Sequence, residues 1–170
     1  MRLRKLERKD APFMLEWMHD RDVVKDMMAD FASKTIEDCQ NFIEMAQEEK
    51  EHLHLAVVDD SDEYMGTVSL KNICLVDGYA EFAITVRKCA MGLGFSKYAM
   101  EEIIRIGFEQ IGLQSIYWDV SKKNARAIRF YEKMGAELAD KVPEPLLDGY
   151  AAIQNQVQWY KVEKCEEEKC

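Results

Sequence analysis

The stretch "CAMGLGFSKYAMEEIIRIGFEQIG", residues 89–112, decides the fold. Two glycines separated by one residue, Gly92 and Gly94, stand between "EFAITV" (residues 81–86), which predicts a strand, and a run whose spacing predicts a helix. Within that run Met100, Ile103, Ile104, Gly107, Phe108 and Ile111 share one side, while Lys97, Glu101, Arg105 and Glu109 recur every fourth residue on the other. The helix therefore lays one face on a sheet. The first turn of a helix leaves several backbone N–H groups unpaired and carries the positive end of the helix dipole, so such a turn stabilises an anion, and glycine lets a phosphate come close. A tight strand-to-helix turn without a ligand explains G-x-G equally well, so spacing has to discriminate. The dinucleotide fingerprint G-x-G-x-x-G needs glycine where Lys97 stands, and the Gly-Lys-Ser or Gly-Lys-Thr of a P-loop occurs nowhere.

Working outward, "RLRKLE" (residues 2–7) predicts a short strand, and Asp10 with Pro12 opens a helix through Phe13, Met14, Trp17 and Met18. Ser33 or Thr35 caps a second helix bearing Ile36, Cys39, Ile43 and Ala46. The period then changes from helical to alternating. "HLHLAVV" (52–58), "YMGTVSLKNICLV" (64–76) and "YAEFAITV" (79–86) predict three strands in an antiparallel meander, joined by "DDSDE" and by Asp77-Gly78. Beyond the long helix, "SIYWDV" (115–120) turns Ile116, Trp118 and Val120 to one side, and "NARAIRFYEKMG" (124–135) predicts a helix with Ala127, Ile128, Tyr131 and Met134 inward and Gly135 as its stop. "GYAAIQNQVQWYKVE" (149–163) reads as one long strand or two short ones. The order β-α-α-β-β-β-α-β-α-β describes an α/β (α+β) domain, a mixed and mostly antiparallel sheet flanked by helices, over residues 1–162 with a polar tail at 163–170.

A chain of 170 residues, 48% hydrophobic and 32% charged, is long enough for one domain with a substantial core. No apolar run approaches the roughly 20 residues of a membrane span, and "MRLRKLERKD" lacks the apolar centre of a secretory signal, which points to a cytoplasmic protein without a membrane partner. The net charge of −9 speaks against nucleic acid and is compatible with a cationic small molecule. Five cysteines at irregular spacing (Cys39, Cys74, Cys89, Cys165, Cys170) read as free thiols. His52 and His54 share a strand face but have no third ligand nearby, so no metal is expected. The oligomeric state is open, a homodimer included.

"AMGLG" after an antiparallel strand, followed by "DVSKKNARAIRFYEKMGAEL", resembles the two signatures of the GCN5-related N-acetyltransferase (GNAT) superfamily. The order of elements is similar as well, so the resemblance runs from about residue 2 to residue 162. Cys89 stands where that family usually has Gln or Arg. The resemblance implies acetyl-CoA as co-substrate. Met91, Gly92, Leu93, Gly94, Phe95 and Ser96 would line its pyrophosphate, and Ile84 and Val86 would pair with the pantetheine arm through their main chains. Asn124, an N-cap on its own merits, would also contact the coenzyme. Tyr131 is the implied acid for the thiolate leaving group; taken alone it reads as a core tyrosine on an apolar helix face.

An attacking amine must lose a proton, and Glu81 in "AEF", similar to the equivalent stretch of spermidine-type acetyltransferases, is the candidate base; its alternative is a solvated glutamate on the polar side of a strand. Asp119 and Glu102 read as surface charges. Trp17, His19 and Phe31 could wall an acceptor pocket, with Tyr150 and Trp159 from the last strands. The expected function is N-acetyl transfer from acetyl-CoA to a small-molecule primary amine, a polyamine or an amino sugar, by direct attack in a ternary complex. The alternatives are N-terminal acetylation of a protein, ribosomal for example, and a non-catalytic acyl-CoA sensor.

Overall fold

The computed structural model describes residues 1–165; residues 166–170, most of the expected tail and with it Cys170, lie outside the described residues. Seven strands form one sheet in the order β1-β2-β3-β4-β5-β7-β6. The strands are β1 Arg2–Lys5, β2 Leu53–Val58, β3 Tyr64–Cys74, β4 Tyr79–Val86, β5 Ser115–Ser121, β6 Glu137–Leu138 and β7 Val157–Glu163. All neighbours are antiparallel except β4 and β5. The expected meander is β2-β3-β4. It is tightest where Gly66 faces β4, since a Cβ there would stand 2.4 Å from the Thr85 carbonyl oxygen.

Helices cover both faces of the sheet. On one lie α1 Ala11–Met18 and α3 Ile36–Met45, with the single turn α2 Arg21–Val24 between them, and they enclose a core of Met14, Trp17, Cys39, Ile43, Ala56 and Tyr64. Thr35 caps α3 in a reciprocal capping box with Asp38. On the other face α4 Phe95–Arg105, extended by a wider π-type turn at Ile106–Ile111, and α5 Ala125–Lys133 bury Phe95, Met100, Ile103, Trp118 and Tyr131 against Val68, Phe82 and Ile116. Because both faces are covered, β4 does not alternate between buried and wet positions; its first four residues are all buried.

Two expectations need correction. Residues 149–163 are not a long strand: 149–156 hold a 3-10 segment, and only Val157–Glu163 pairs. All seven residues of β5, Ser115 to Ser121, are matched to Glu163 back to Val157, and beyond them only the Lys122 N–H reaches across, to the Gln156 carbonyl at 2.9 Å. The connection also contains β6 and a short helix α6, Glu144–Asp148, which the alternation did not reveal. Asp10, in turn, does not cap α1 with its side chain. Its carboxylate accepts from the Glu7 N–H at 2.8 Å and takes the Arg4 guanidinium at 2.8 and 2.9 Å. Among the described residues no helix is long and apolar enough to cross a membrane.

Candidate active site

β4 and β5 run side by side for only three positions, from Tyr79 opposite Ser115 to Glu81 opposite Tyr117, and then part. Residues 82–86 keep β3 on one side and have no strand on the other. The Arg87 N–H donates to the Met65 carbonyl at 2.8 Å, which sets the antiparallel alternation. Residues 81, 83 and 85 turn their main-chain groups to β3, so 82, 84 and 86 present theirs to the gap. Ile84 and Val86 thus offer strand-like N–H and C=O groups to whatever occupies it. A cleft of ≈ 630 Å³ fills the gap, with Phe82, Ile84, Trp118, Asn124, Tyr131 and Tyr150 among its walls. The Trp118 indole N–H is buried with no acceptor among the described residues.

At the end of β4 a short turn, Lys88–Ala90, leads into the glycines. Gly92 and Gly94 have φ of +77° and +89°, which glycine adopts without strain, and a Cβ on Gly92 would meet nothing within 4 Å. The backbone therefore turns sharply at the start of α4, with open space beside Gly92. The N–H groups of Met91 and Leu93 turn back to the carbonyls of Lys88 and Ala90 at 3.2 and 3.4 Å. Those of Gly92, Gly94, Phe95 and Ser96 have no acceptor among the described residues, which is the arrangement that holds an anion. The Phe95 ring itself belongs to the core. Arg126, two residues into α5, reaches the same bend and donates to the Met91 sulfur at 3.0 Å.

Glu81 is no surface glutamate. It is 2% exposed and accepts from Lys71 Nζ at 2.7 Å, from Asn72 Nδ2 at 2.9 Å and from the Tyr150 hydroxyl. Asp119, read as a surface charge, is half-buried: it lines the cleft, and burial, together with the nearby Glu81 charge, holds its carboxyl above the usual aspartate range, against the opposing pull of the Tyr150 hydroxyl. Tyr150 joins the two acids, and burial beside Asp119 and Glu81 pushes its phenol up, so it stays protonated and donates.

Tyr131 lies where both readings of it hold. Its ring is packed at 5.3 Å from Trp118 and 5.7 Å from Tyr160, yet it also lines the cleft. Burial, then the Asp119 charge, raises its phenol, keeping the proton in place. Asn124 caps α5 by accepting from the Ala127 N–H at 3.0 Å, and lines the cleft as well. Trp17 and Phe31 meet edge to face at 5.1 Å and wall a second cavity, whereas His19 turns away to the Lys34 carbonyl. Trp159 stacks edge-on against Tyr150. Sequence reasoning missed Asp119, Arg126 and the joining role of Tyr150. Arg126 could have been found as the next polar residue after Asn124 in the same signature; the Tyr150 contact, 69 positions from Glu81, leaves no local signal.

Residues 1–137 match the family model of the Acetyltransferase (GNAT) domain. The spermidine N(1)-acetyltransferase of Escherichia coli K12 is 30% identical over 140 residues, covering 79% of this chain and 72% of that one. N-acetyltransferase p20 of Bacillus licheniformis is 26% identical over 135 residues, covering 78% of this chain and 76% of the other. Among solved structures, spermidine N-acetyltransferase of Vibrio cholerae in complex with CoA and spermine superposes with a TM-score of 0.77 at 20% identity, over 95% of this chain and 94% of that one.

Proposed function

The chain belongs to the GNAT acetyltransferase family, and on that premise we propose that it transfers an acetyl group from acetyl-CoA to a primary amine of a small molecule, by direct attack of the amine within a ternary complex. One observation carries this reading: the unpaired edge of β4 runs directly into a glycine bend with four unpaired amides. An extended chain bearing amides and ending in a diphosphate matches that sequence of donors and acceptors. The coenzyme supplies an activated acyl group as a thioester. Ile84 and Val86 pair with its amide arm, and Gly92, Gly94, Phe95 and Ser96 hold its phosphates with Arg126 alongside; Met91 and Leu93 shape the bend, and Asn124 borders the arm.

The acid cluster receives the amine. Glu81, already taking three hydrogen bonds, acts as fixed negative charge, and Asp119, whose carboxyl burial keeps hungry for a proton, accepts the one the ammonium gives up. Tyr131, protonated throughout the neutral range, delivers a proton to the departing thiolate. The Escherichia coli relative is by name a spermidine acetyltransferase, which favours an aliphatic amine over an amino sugar. Thiol release from acetyl-CoA, measured against polyamines, simple alkylamines, amino sugars and short peptides, tests the reading. Release that depends on a small amine is expected. Binding of acetyl-CoA without release under every amine would leave a sensor, and release with peptides alone would leave a protein acetyltransferase.

A further inference from the structure

The two histidines of β2 are not among the walls of the cleft, yet His54 lies in a row of side chains that leads to it. Its strand partner is Ser69 of β3, and the partner of Ser69 is Ala83 of β4; such partners turn their side chains to one face of the sheet. Continuing the register of β4 and β5 past their parting brings Asp119 level with Ala83, across the gap. In that row only the methyl of Ala83 stands between Ser69 and the gap. A chamber of ≈ 420 Å³ under α1 and α3 is lined by His54, Ser69, Ala83, Ile84 and Thr85, and shares the last three with the cleft. The Ser69 oxygen and His54 Nδ1 are 2.7 Å apart, and Nε2 of the same ring lies 3.5 Å from Glu49 Oε2. A carboxylate only accepts, so the ring proton sits on Nε2, Nδ1 accepts from the Ser69 hydroxyl, and the Ser69 oxygen is left able to accept from the chamber. Phe42 packs on the imidazole at 4.8 Å between ring centres. Ser69 is buried, while Glu49 stands at the surface, where a proton can leave.

An ammonium that ends as an amide sheds two protons, one before its lone pair can attack and one after the C–N bond has formed. Asp119 accounts for the first, and the second needs another acceptor beside the same nitrogen. We propose that Ser69 accepts it and passes its own proton to His54 Nδ1, with Glu49 positioning the imidazole, so that a serine–histidine–glutamate relay completes the proton traffic of the transfer. The inference rests on the acetyl-transfer reading and adds residues to it. The protons balance. Two leave the nitrogen, for Asp119 and His54, and pass on to solvent; Tyr131 gives one to the thiolate and recovers it from solvent, so each turnover releases one.

His54 serves only while neutral. The charged and titratable groups around it are Glu49 before β2, His52 of β2, Lys71 of β3 bound to Glu81, and, across the chamber, Lys34, Asp38 and Cys39; α1 brings only Met14, Trp17 and Met18. Burial first, then His52 and Lys71, lower the imidazole pKa against the pull of Glu49. The kcat should therefore hold down to the ordinary imidazole value of 6.5 and fall below it, as the ring takes up a proton.

Steady-state thiol release from acetyl-CoA with spermidine, n-butylamine and glucosamine, followed against pH, tests the relay. His54→Gln and Ser69→Ala should each lower kcat about a hundredfold, leave the dissociation constant of acetyl-CoA in place by calorimetry, and lose that acid limb. Ser69→Thr, which keeps a hydroxyl, should recover most of the rate. Glu49→Gln, at the surface, leaves the buried pair intact and should move the limb about half a pH unit toward acid, so the test survives if a buried replacement fails to fold. An unaltered kcat in His54→Gln or Ser69→Ala, or a limb that stays in place in Glu49→Gln, overturns the proposal. Inertness of all three amines toward a parent protein that still binds acetyl-CoA would instead bring down the acetyl-transfer reading beneath it.

Discussion

Asp10 and Glu81 are acids with 1% and 2% exposure, and the regions around them use buried charge in opposite ways. Asp10 is held by both nitrogens of the Arg4 fork and by the Glu7 N–H, all within six residues of chain. Asp62, from the β2–β3 turn, extends the network by binding Arg2, Arg4 and Lys9. The clamp pins the first strand and the first helix to the meander. Glu81 is held by Lys71 and Asn72 of β3 and by Tyr150 from a distant connection, beside a cleft and a second, poorly solvated acid. A planar fork with its acid in a closed local loop fixes structure. Single donors from β3 and from a distant connection instead hold Glu81 at the wall of a cleft, beside a second acid.

The largest effect expected is on the clamp. Arg4→Ala leaves Asp10 buried without its partner and should cost about 3–5 kcal/mol, read from urea unfolding, with acetyl-CoA affinity of the folded protein unchanged; a loss below about 1 kcal/mol would make the clamp an ordinary surface network. Next comes the cleft. Tyr131→Phe should lower kcat about a hundredfold while leaving the dissociation constant of acetyl-CoA in place, and an unaltered kcat would return Tyr131 to the core alone. Gly92→Asp sets a carboxylate against the bend and should weaken acetyl-CoA at least tenfold, about 1.4 kcal/mol, in calorimetry; undiminished affinity would free the bend of its assigned ligand.

The smallest effect separates the two regions most cleanly. Because the folded carboxyl of Asp119 is raised above its ordinary 3.8, its favourable contribution to folding is complete below that value and is lost as pH rises through the folded pKa. Asp119→Asn should therefore unfold at higher temperature than the parent protein near pH 7, the gap closing in acid, while amine turnover falls. A variant that melts lower at pH 7 would show Asp119 to be structural, as Asp10 is.

Much of this was readable from residue order, and the rest was hidden for physical reasons. "YAEFAITV" is a strand over the same residues, Asn124 caps its helix, and the glycine bend falls between β4 and α4, because each depends on neighbours in sequence. Alternation cannot say whether the outer face of a strand is wet, so Asp119 read as a surface charge and Glu81, the candidate base, kept a solvated glutamate as its alternative. It also cannot say whether a partner strand has residues to spare, which is why 149–156 was read as strand. The acid cluster spans β3, β4, β5 and the segment before β7, and only the folded sheet brings Lys71, Glu81, Asp119 and Tyr150 within reach of one another.

The parting of β4 from β5 has a bearing on how this protein can vary. Main-chain groups act as donors and acceptors whatever side chain they carry, so the edge offered by positions 82, 84 and 86 constrains residue type only through the core, which holds Phe82 and Val86, and leaves Ile84 freer to vary. Proline alone, which lacks the N–H, would erase it. A molecule that recognises its donor this way spends little of its side-chain diversity on that task and keeps the remainder free to be reshaped around new acceptors.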